Sequence, residues 1–282
     1  MKSLAAKPRT VSELPGGLTN RNYKVTTPDG TFVARISSGG SDLLAIDRDC
    51  EYRNSVTAAA AGAGPPVVEY RPQDRLLVIG YLEGRTLEPR DVATPGNLSR
   101  IAEACRRLHA GGRFGNDFDM FDIQRRYLSV ARSRGFKVPA GYDDLAPLCH
   151  AAEKALAVRA EGPGFEGPGF EGTVPCHNDL LAANFICDGP SVRLIDWEYA
   201  GMGDAFFDLG NFAVNQGLDE AGCRLLLEAY GESDLERLLL MQRVSDMREA
   251  FWGFLQAGVS ALDFDFRAYG EKHLDRFLER AS

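Results

Sequence analysis

Histidine and tryptophan are scarce in this chain, with four His and two Trp among 282 residues. The six cysteines, Cys50, Cys105, Cys149, Cys176, Cys187 and Cys223, are scattered and form no C-x-x-C pair. With the histidines also far apart, no zinc-binding spacing arises. The cysteines therefore read as small core residues in a reducing compartment. Basic charge is not in excess either: 32 Lys and Arg against 40 Asp and Glu leave a net charge of −8. That balance argues against a nucleic-acid or anionic-membrane partner and is compatible with a cationic one. No apolar run approaches the ~18 residues of a membrane span. The first ten residues are basic but lack an apolar segment, so no signal peptide is evident. The expected location is the cytoplasm, with no membrane partner.

What is present is an ordinary enzyme-like composition in a chain long enough for one large domain or two lobes. The first ninety residues are strand-rich. Asn22 to Thr27 and Thr31 to Ile36 flank Pro28-Asp29-Gly30, a turn combining a fixed φ with a permissive glycine. Asp47 to Ala61 favours helix, ending at Gly62 before Pro65-Pro66, and Val67 to Tyr70 and Leu76 to Tyr81 read as further strands. From Asn97 onward the pattern is mainly helical. Asn97 is the expected cap of a helix with Ile101, Ala104, Cys105 and Leu108 on one face. Further helices are predicted over Phe121 to Arg134, Asp144 to Ala160, Ser233 to about Ala257, and Phe266 to Arg280. The seam falls near Tyr81 to Arg90, giving an N-terminal lobe of 1–84 and a C-terminal lobe of 85–282. Glu161-Gly162-Pro163-Gly164-Phe165 is repeated at 166–170 and begun again at 171–172; Gly and Pro at this density predict a loop.

The chemistry-bearing stretch is His177-Asn178-Asp179, then Asn184, then Asp196 behind Val192-Arg193-Leu194. Each residue alone is an ordinary turn, cap or bracing residue. Their joint spacing fits phosphoryl transfer, which needs a carboxylate for the acceptor hydroxyl's proton and oxygen ligands to hold Mg²⁺ against nucleotide phosphates. Asp179 is then the expected base, and Asn184 and Asp196 the expected metal ligands. Pro15-Gly16-Gly17-Leu18-Thr19-Asn20 offers a glycine pair and short polar side chains to phosphates, so Gly16, Gly17, Thr19 and Asn20 are candidate nucleotide contacts. Neither a G-x-x-x-x-G-K-[ST] nor a G-x-G-x-x-G motif is present. Arg35 in Phe32-Val33-Ala34-Arg35-Ile36 is the candidate phosphate cation, oriented by Glu51 on the following helix.

Taken together these residues resemble the choline/ethanolamine kinase family within the aminoglycoside-phosphotransferase-like superfamily. The likeness includes Gly16-Gly17-Leu18-Thr19-Asn20, Val33-Ala34-Arg35-Ile36, Tyr81-Leu82-Glu83-Gly84, Leu108-His109, His177-Asn178-Asp179, Ile195-Asp196-Trp197-Glu198-Tyr199-Ala200 and Phe207-Asp208-Leu209-Gly210-Asn211. It implies an α+β, two-lobed protein-kinase-like fold, with a small antiparallel-sheet N-lobe and a mainly helical C-lobe around ATP. It further implies that Ile79, Tyr81 and Leu82 belong to the adenine hinge, that Glu198 assists Asn184 and Asp196 at the metal, and that Asp208 braces the catalytic loop.

Phe251-Trp252-Gly253-Phe254-Leu255 resembles the family's aromatic patch for a quaternary ammonium, with Leu255 where a second Trp is familiar. Asn215 stands at the nearest equivalent of an acidic position. The implied substrate is a cationic amino alcohol, choline or ethanolamine, contacted by Asp179, Asn215, Trp252 and Leu255. A thiamine- or aminoglycoside-type phosphotransferase would share every nucleotide-site residue, and a non-catalytic nucleotide-binding module is the alternative of a different class.

Overall fold

A computed structural model describes residues 8–15, 20–37, 44–92, 94–137, 145–160, 173–260 and 262–280. The expected phosphate contacts Gly16, Gly17 and Thr19, and the Glu-Gly-Pro-Gly-Phe repeat, lie outside the described residues. The hairpin is formed by β2 (Asn20–Thr27) and β3 (Gly30–Ser37), with Thr27 opposite Gly30. Its turn is closed by Pro28 and by the Asp29 N–H donating to Thr27 Oγ1 at 3.2 Å. β1 (Thr10–Leu14) flanks β2, while β5 (Leu76–Gly80) and then β4 (Val67–Arg71) lie beyond β3. The five strands form one antiparallel sheet in the order β1-β2-β3-β5-β4. Helix α1 (Arg48–Ala60) follows β3, and the Asp47 carboxylate accepts from the N–H groups of Asp49 and Cys50 at its start. Unlike an ordinary amphipathic helix, α1 buries polar residues, Glu51, Asn54 and Ser55. Such groups need partners: Ser55 Oγ donates to the Glu51 carbonyl within the helix at 2.7 Å, while Glu51 and Asn54 find theirs in the site.

Past β5 the chain enters the second lobe through Gly84, which has φ 143° and sits so close to the Cys187 carbonyl that a Cβ would lie 2.5 Å from it. β6 (Arg85–Thr86) there joins β8 (Phe185–Cys187) and β9 (Val192–Leu194), and α2 (Pro89–Val92) leads into α3 (Pro95–His109). The expected cap at Asn97 is corrected: Thr94 precedes the helix, Pro95 opens it, and Asn97 lies inside, donating to the Asp91 carbonyl at 2.7 Å. α4 (Met120–Ser133) and α5 (Leu145–Ala160) follow, then β7 (Val174–Cys176), paired antiparallel with β10 (Gly201–Gly203).

The remaining helices are α6 (Ala205–Asn215), α7 (Glu220–Tyr230), α8 (Leu235–Val259) and α9 (Phe266–Glu279). α8 runs through the core, and its N-cap is Asp234, which accepts from the Arg237 N–H at 2.9 Å. Gly210 lets α6 lie against α8; a Cβ there would be 2.7 Å from the Met241 backbone. Phe185, Phe206, Phe212, Phe277, Leu180 and Ile101 are wholly buried between these elements. The fold is thus α+β, an antiparallel-sheet lobe followed by a mainly helical one, as expected. Among the described residues no helix is long and apolar enough to cross a membrane.

Candidate active site

β7 ends by delivering His177, Asn178 and Asp179 into a loop held from beneath by α6. Asp208, with no exposed surface, accepts from the His177 N–H at 2.8 Å and the Asn178 N–H at 2.6 Å, with His109 Nε2 at 3.0 Å. Three residues after Asp208, Asn211 Oδ1 accepts the Leu180 N–H at 2.6 Å. His177 Nε2 in turn lies 2.9 Å from the Ile195 carbonyl, and burial holds its pKa below the ordinary value. Asn178 and Asp196 both adopt left-handed backbone, φ 63° and 73°. Asn and Asp tolerate that region better than other side chains, which is a local reason for these types at two sharp turns.

The β8–β9 hairpin brings the two halves of the motif together. Phe185 opposes Leu194, and the Ile195 N–H donates to the Asn184 carbonyl at 3.0 Å. Asn184 commits its Nδ2 to the Asp179 carbonyl at 2.9 Å, so Oδ1 is the atom it offers as a ligand. Asn184, Asp196 and Glu198 together present amide and carboxylate oxygens, the donor set a hard divalent cation prefers. The residues present therefore fit Mg²⁺.

Arg35 projects from β3 into this group and is 7 % exposed. Its Nη1 lies 2.9 Å from Glu51 Oε1, while Nη2 donates to Asp196 and, at 3.1 Å, to Glu198. Burial opposes its charge, but Asp196, Glu51 and Glu198 outweigh that and push its pKa up. Arg48 bridges Glu51 at 2.6 Å and Glu198 at 3.0 Å, and Asn20 Nδ2 donates to Glu198 at 2.9 Å. Asn54 closes the same seam, donating to the Ala200 carbonyl at 2.8 Å. Glu198 is thus a shared acceptor for β2, β3 and α1. At the expected adenine hinge, the Tyr81 N–H donates to the Thr31 carbonyl at 3.1 Å, Ile79 sits on β5, and Leu82 is buried.

On the opposite side of Asp179 stands α8. Arg248 Nη1 lies 3.2 Å from Asp179 Oδ1 and 2.6 Å from Glu249 Oε1. Burial pushes the Asp179 carboxyl up to about 7; Arg248 opposes this, while Glu249, Asp196 and Glu198 add to it. Trp252, 8 % exposed, donates its indole N–H to Tyr199 Oη at 2.8 Å and meets Phe266 and Tyr269 edge-on, each at 5.7 Å. Phe264, 44 % exposed, packs on Phe266 and Tyr269. Leu255 is 1 % exposed and packs in the core, and Asn215 is half-buried at the end of α6.

Hydrogen bonds and ion pairs thus join Asn20, Arg35, Glu51, Asp196 and Glu198 in one cluster, Asn184 ties to Asp179, and Trp252 lies one helical turn along α8 from Arg248, the partner of Asp179. Sequence reasoning missed Arg48, Asn54, Tyr199, Arg248 and Glu249. Arg48 carried a weak signal, three residues before Glu51 on one helix face. Arg248 and Glu249 carried only their place one turn ahead of Trp252.

An antiparallel sheet with a buried Arg–Glu pair, set over a helical lobe carrying the Asp–Asn–Asp loop pair, defines a protein of the two-lobed protein-kinase-like class. Residues 10–245 match the model of the phosphotransferase enzyme family (APH), and the chain belongs to that family. It is 30 % identical to a choline/ethanolamine kinase family protein from Mesorhizobium loti whose solved structure superposes with a TM-score of 0.82, covering 99 % of this chain and 90 % of that one. Protein LicA of Haemophilus influenzae is 28 % identical over 222 residues, which span 76 % of this chain and 61 % of LicA. Human ethanolamine kinase 1 is 25 % identical over 315 residues, 96 % of this chain and 67 % of that protein.

Proposed function

We propose that this protein transfers the γ-phosphate of ATP to the hydroxyl of a small cationic amino alcohol, choline or ethanolamine. The observation that carries the reading is the position of Asp179, a largely buried carboxylate tied to Asn184 on one hand and, through Arg248, to the helix that carries Trp252 on the other. Asp179 orients the acceptor hydroxyl and takes its proton. Arg35, held on two sides by carboxylates, positions the nucleotide phosphates with Asn20 and the glycine pair before it. Mg²⁺, held by Asn184 and Asp196 with Glu198 in support, would neutralise charge on the phosphates.

Trp252, Tyr269 and Phe264 supply π-faces for an ammonium group. Asp179 and Glu249, with only Arg248 between them, leave that corner net negative, which favours a cation. The division into lobes at residue 84 is supported by β6 pairing with β8 and not with the N-terminal sheet. Six unpaired cysteines support a cytoplasmic setting.

The test is a panel of small alcohols with Mg-ATP, choline, ethanolamine and thiamine first, followed by ADP release and ³¹P NMR of the product. A phosphate monoester of choline or ethanolamine is expected. ADP release with thiamine or an aminoglycoside alone would move the assignment to another branch. Nucleotide binding without ADP release for any acceptor would reject an enzyme altogether.

A further inference from the structure

The acceptor side of the site contains a buried charge pair to which phosphate chemistry gives no task. Arg248 and Glu249 are consecutive on α8 and each 2 % exposed. Arg248 bridges Asp179 and Glu249 through Nη1 and lies over the Tyr199 ring, 4.5 Å from its centroid. Glu249 Oε1 also accepts from Asn211 Nδ2 at 3.3 Å, and Asn211 Oδ1 holds the Leu180 N–H at 2.6 Å. The other oxygen, Oε2, accepts the Tyr269 hydroxyl at 2.6 Å. Glu249 therefore reaches Asp179 by two separate routes. One passes through Arg248 to the carboxylate, and the other through Asn211 to the backbone of the next residue.

A buried ion pair seldom adds net stability over apolar side chains of similar size, so stability is a weak reason for this one. Geometry is a stronger reason. A carboxylate that must meet a hydroxyl in line with a phosphate gains from being fixed in both orientation and height, and small displacements there are expensive in rate. Both oxygens of Glu249 are already engaged, and an ammonium could reach them only by displacing Arg248, Asn211 or Tyr269.

We propose that Glu249 and Arg248 are positioning residues for the base: Glu249 anchors Arg248 and Asn211, and these two fix the Asp179 carboxylate and the backbone N–H of Leu180 that follows it. The proposal rests on the phosphotransfer reading of the site. It also links the aromatic wall to the base, because the Tyr269 ring that meets Trp252 carries the hydroxyl held by Glu249.

The experiment is steady-state kinetics of Glu249→Gln, Arg248→Lys and their double variant on choline and ethanolamine with Mg-ATP, with melting curves for each. Glu249→Gln should lower kcat by about 10- to 100-fold while both KM values stay within about threefold. The double variant should fall no further than about threefold below the deeper single one, as expected for residues acting as a unit. If kcat stays within about threefold and the acceptor KM rises about tenfold or more, Glu249 contacts the acceptor directly and the positioning role is overturned. Unchanged kcat and KM would overturn it as well, leaving the pair as packing.

If Glu249→Gln does not fold, Tyr269→Phe, which removes only the hydroxyl on Glu249, is measured instead. A lowered kcat at constant KM supports the proposal, and a changed acceptor KM alone refutes it. Should the wild type phosphorylate neither alcohol, the amino-alcohol reading fails separately. The same kcat ratios are then taken on slow Mg-ATP hydrolysis, where water attacks beside the same base, and are judged by the same criteria.

Discussion

Arg35→Lys keeps a positive charge at the cleft and removes the fork that distributes it. In the structure one nitrogen of the guanidinium faces Glu51 on α1 and the other faces Asp196 and Glu198 beyond β9. A lysine ammonium is a single centre on a shorter reach, so it cannot sit between carboxylates arriving from two sides. At least one charge-assisted hydrogen bond is lost, worth about 1.5–3 kcal/mol. Arg48 still bridges Glu51 and Glu198, so the deficit falls chiefly on Asp196.

A net loss of about 2 kcal/mol is expected, roughly 4–8 °C in melting temperature for a chain of this size. Because Asp196 then loses its fixed neighbour, kcat/KM for ATP should fall about 10- to 100-fold, corresponding to about 1.4–2.7 kcal/mol of transition-state stabilisation. Thermal unfolding monitored by circular dichroism and coupled-assay kinetics at saturating acceptor measure the two quantities. A variant with unchanged melting temperature and kcat/KM within about threefold of wild type would refute the two-sided clamp.

Asp179→Asn should abolish turnover yet leave nucleotide affinity within about threefold, because the shape is retained and only the proton acceptor is lost; near-normal kcat would exclude Asp179 as base. With the Asp179 carboxyl pushed up to about 7 from 3.8, kcat/KM should rise with pH along an acid limb centred near neutrality. The same shift means the folded state retains a proton that the unfolded chain has released between those values, so Asp179 should destabilise the fold as pH rises through that window. A flat rate profile from pH 5 to about 8 contradicts both expectations. Asn184→Ala and Asp196→Ala should raise the magnesium concentration needed for ATP binding, and unchanged titrations in both would refute the ligand assignment. Trp252→Ala should weaken choline binding about five- to thirty-fold, roughly 1–2 kcal/mol, with Trp252→Phe recovering part of it; loss of folding without a change in selectivity in Trp252→Phe would make the residue core alone.

Features set by near neighbours in the chain were legible without the fold. The β2–β3 hairpin follows from Pro28-Asp29-Gly30, α1 from Asp47 and the alanines behind it, and the phosphotransfer loop from the spacing of Asp179, Asn184 and Asp196. Each depends on a propensity or on a separation of a few residues, which a sequence states directly. Asn97 shows where such reasoning fails: a good cap residue was overruled because Thr94-Pro95 begins the helix one turn earlier.

Arg35 with Glu51 was expected and is formed, but the other ion pairs were beyond reach for a different reason. Arg35 meets Glu198 across 163 positions, Arg48 meets it across 150, and Arg248 meets Asp179 across 69. A buried charge is tolerable only when an opposite charge arrives from another element, and any of the chain's 32 basic residues was an equal candidate on paper. The sequence alone therefore determined which chemistry the site holds, since residue types and local spacing decide that. Tertiary packing decided how Arg48 and Arg248 are paired, and so how Asp179 is aimed, because only the meeting of β3 and α1 with the segment after β9, and of α8 with the loop after β7, brings those distant side chains within hydrogen-bond range.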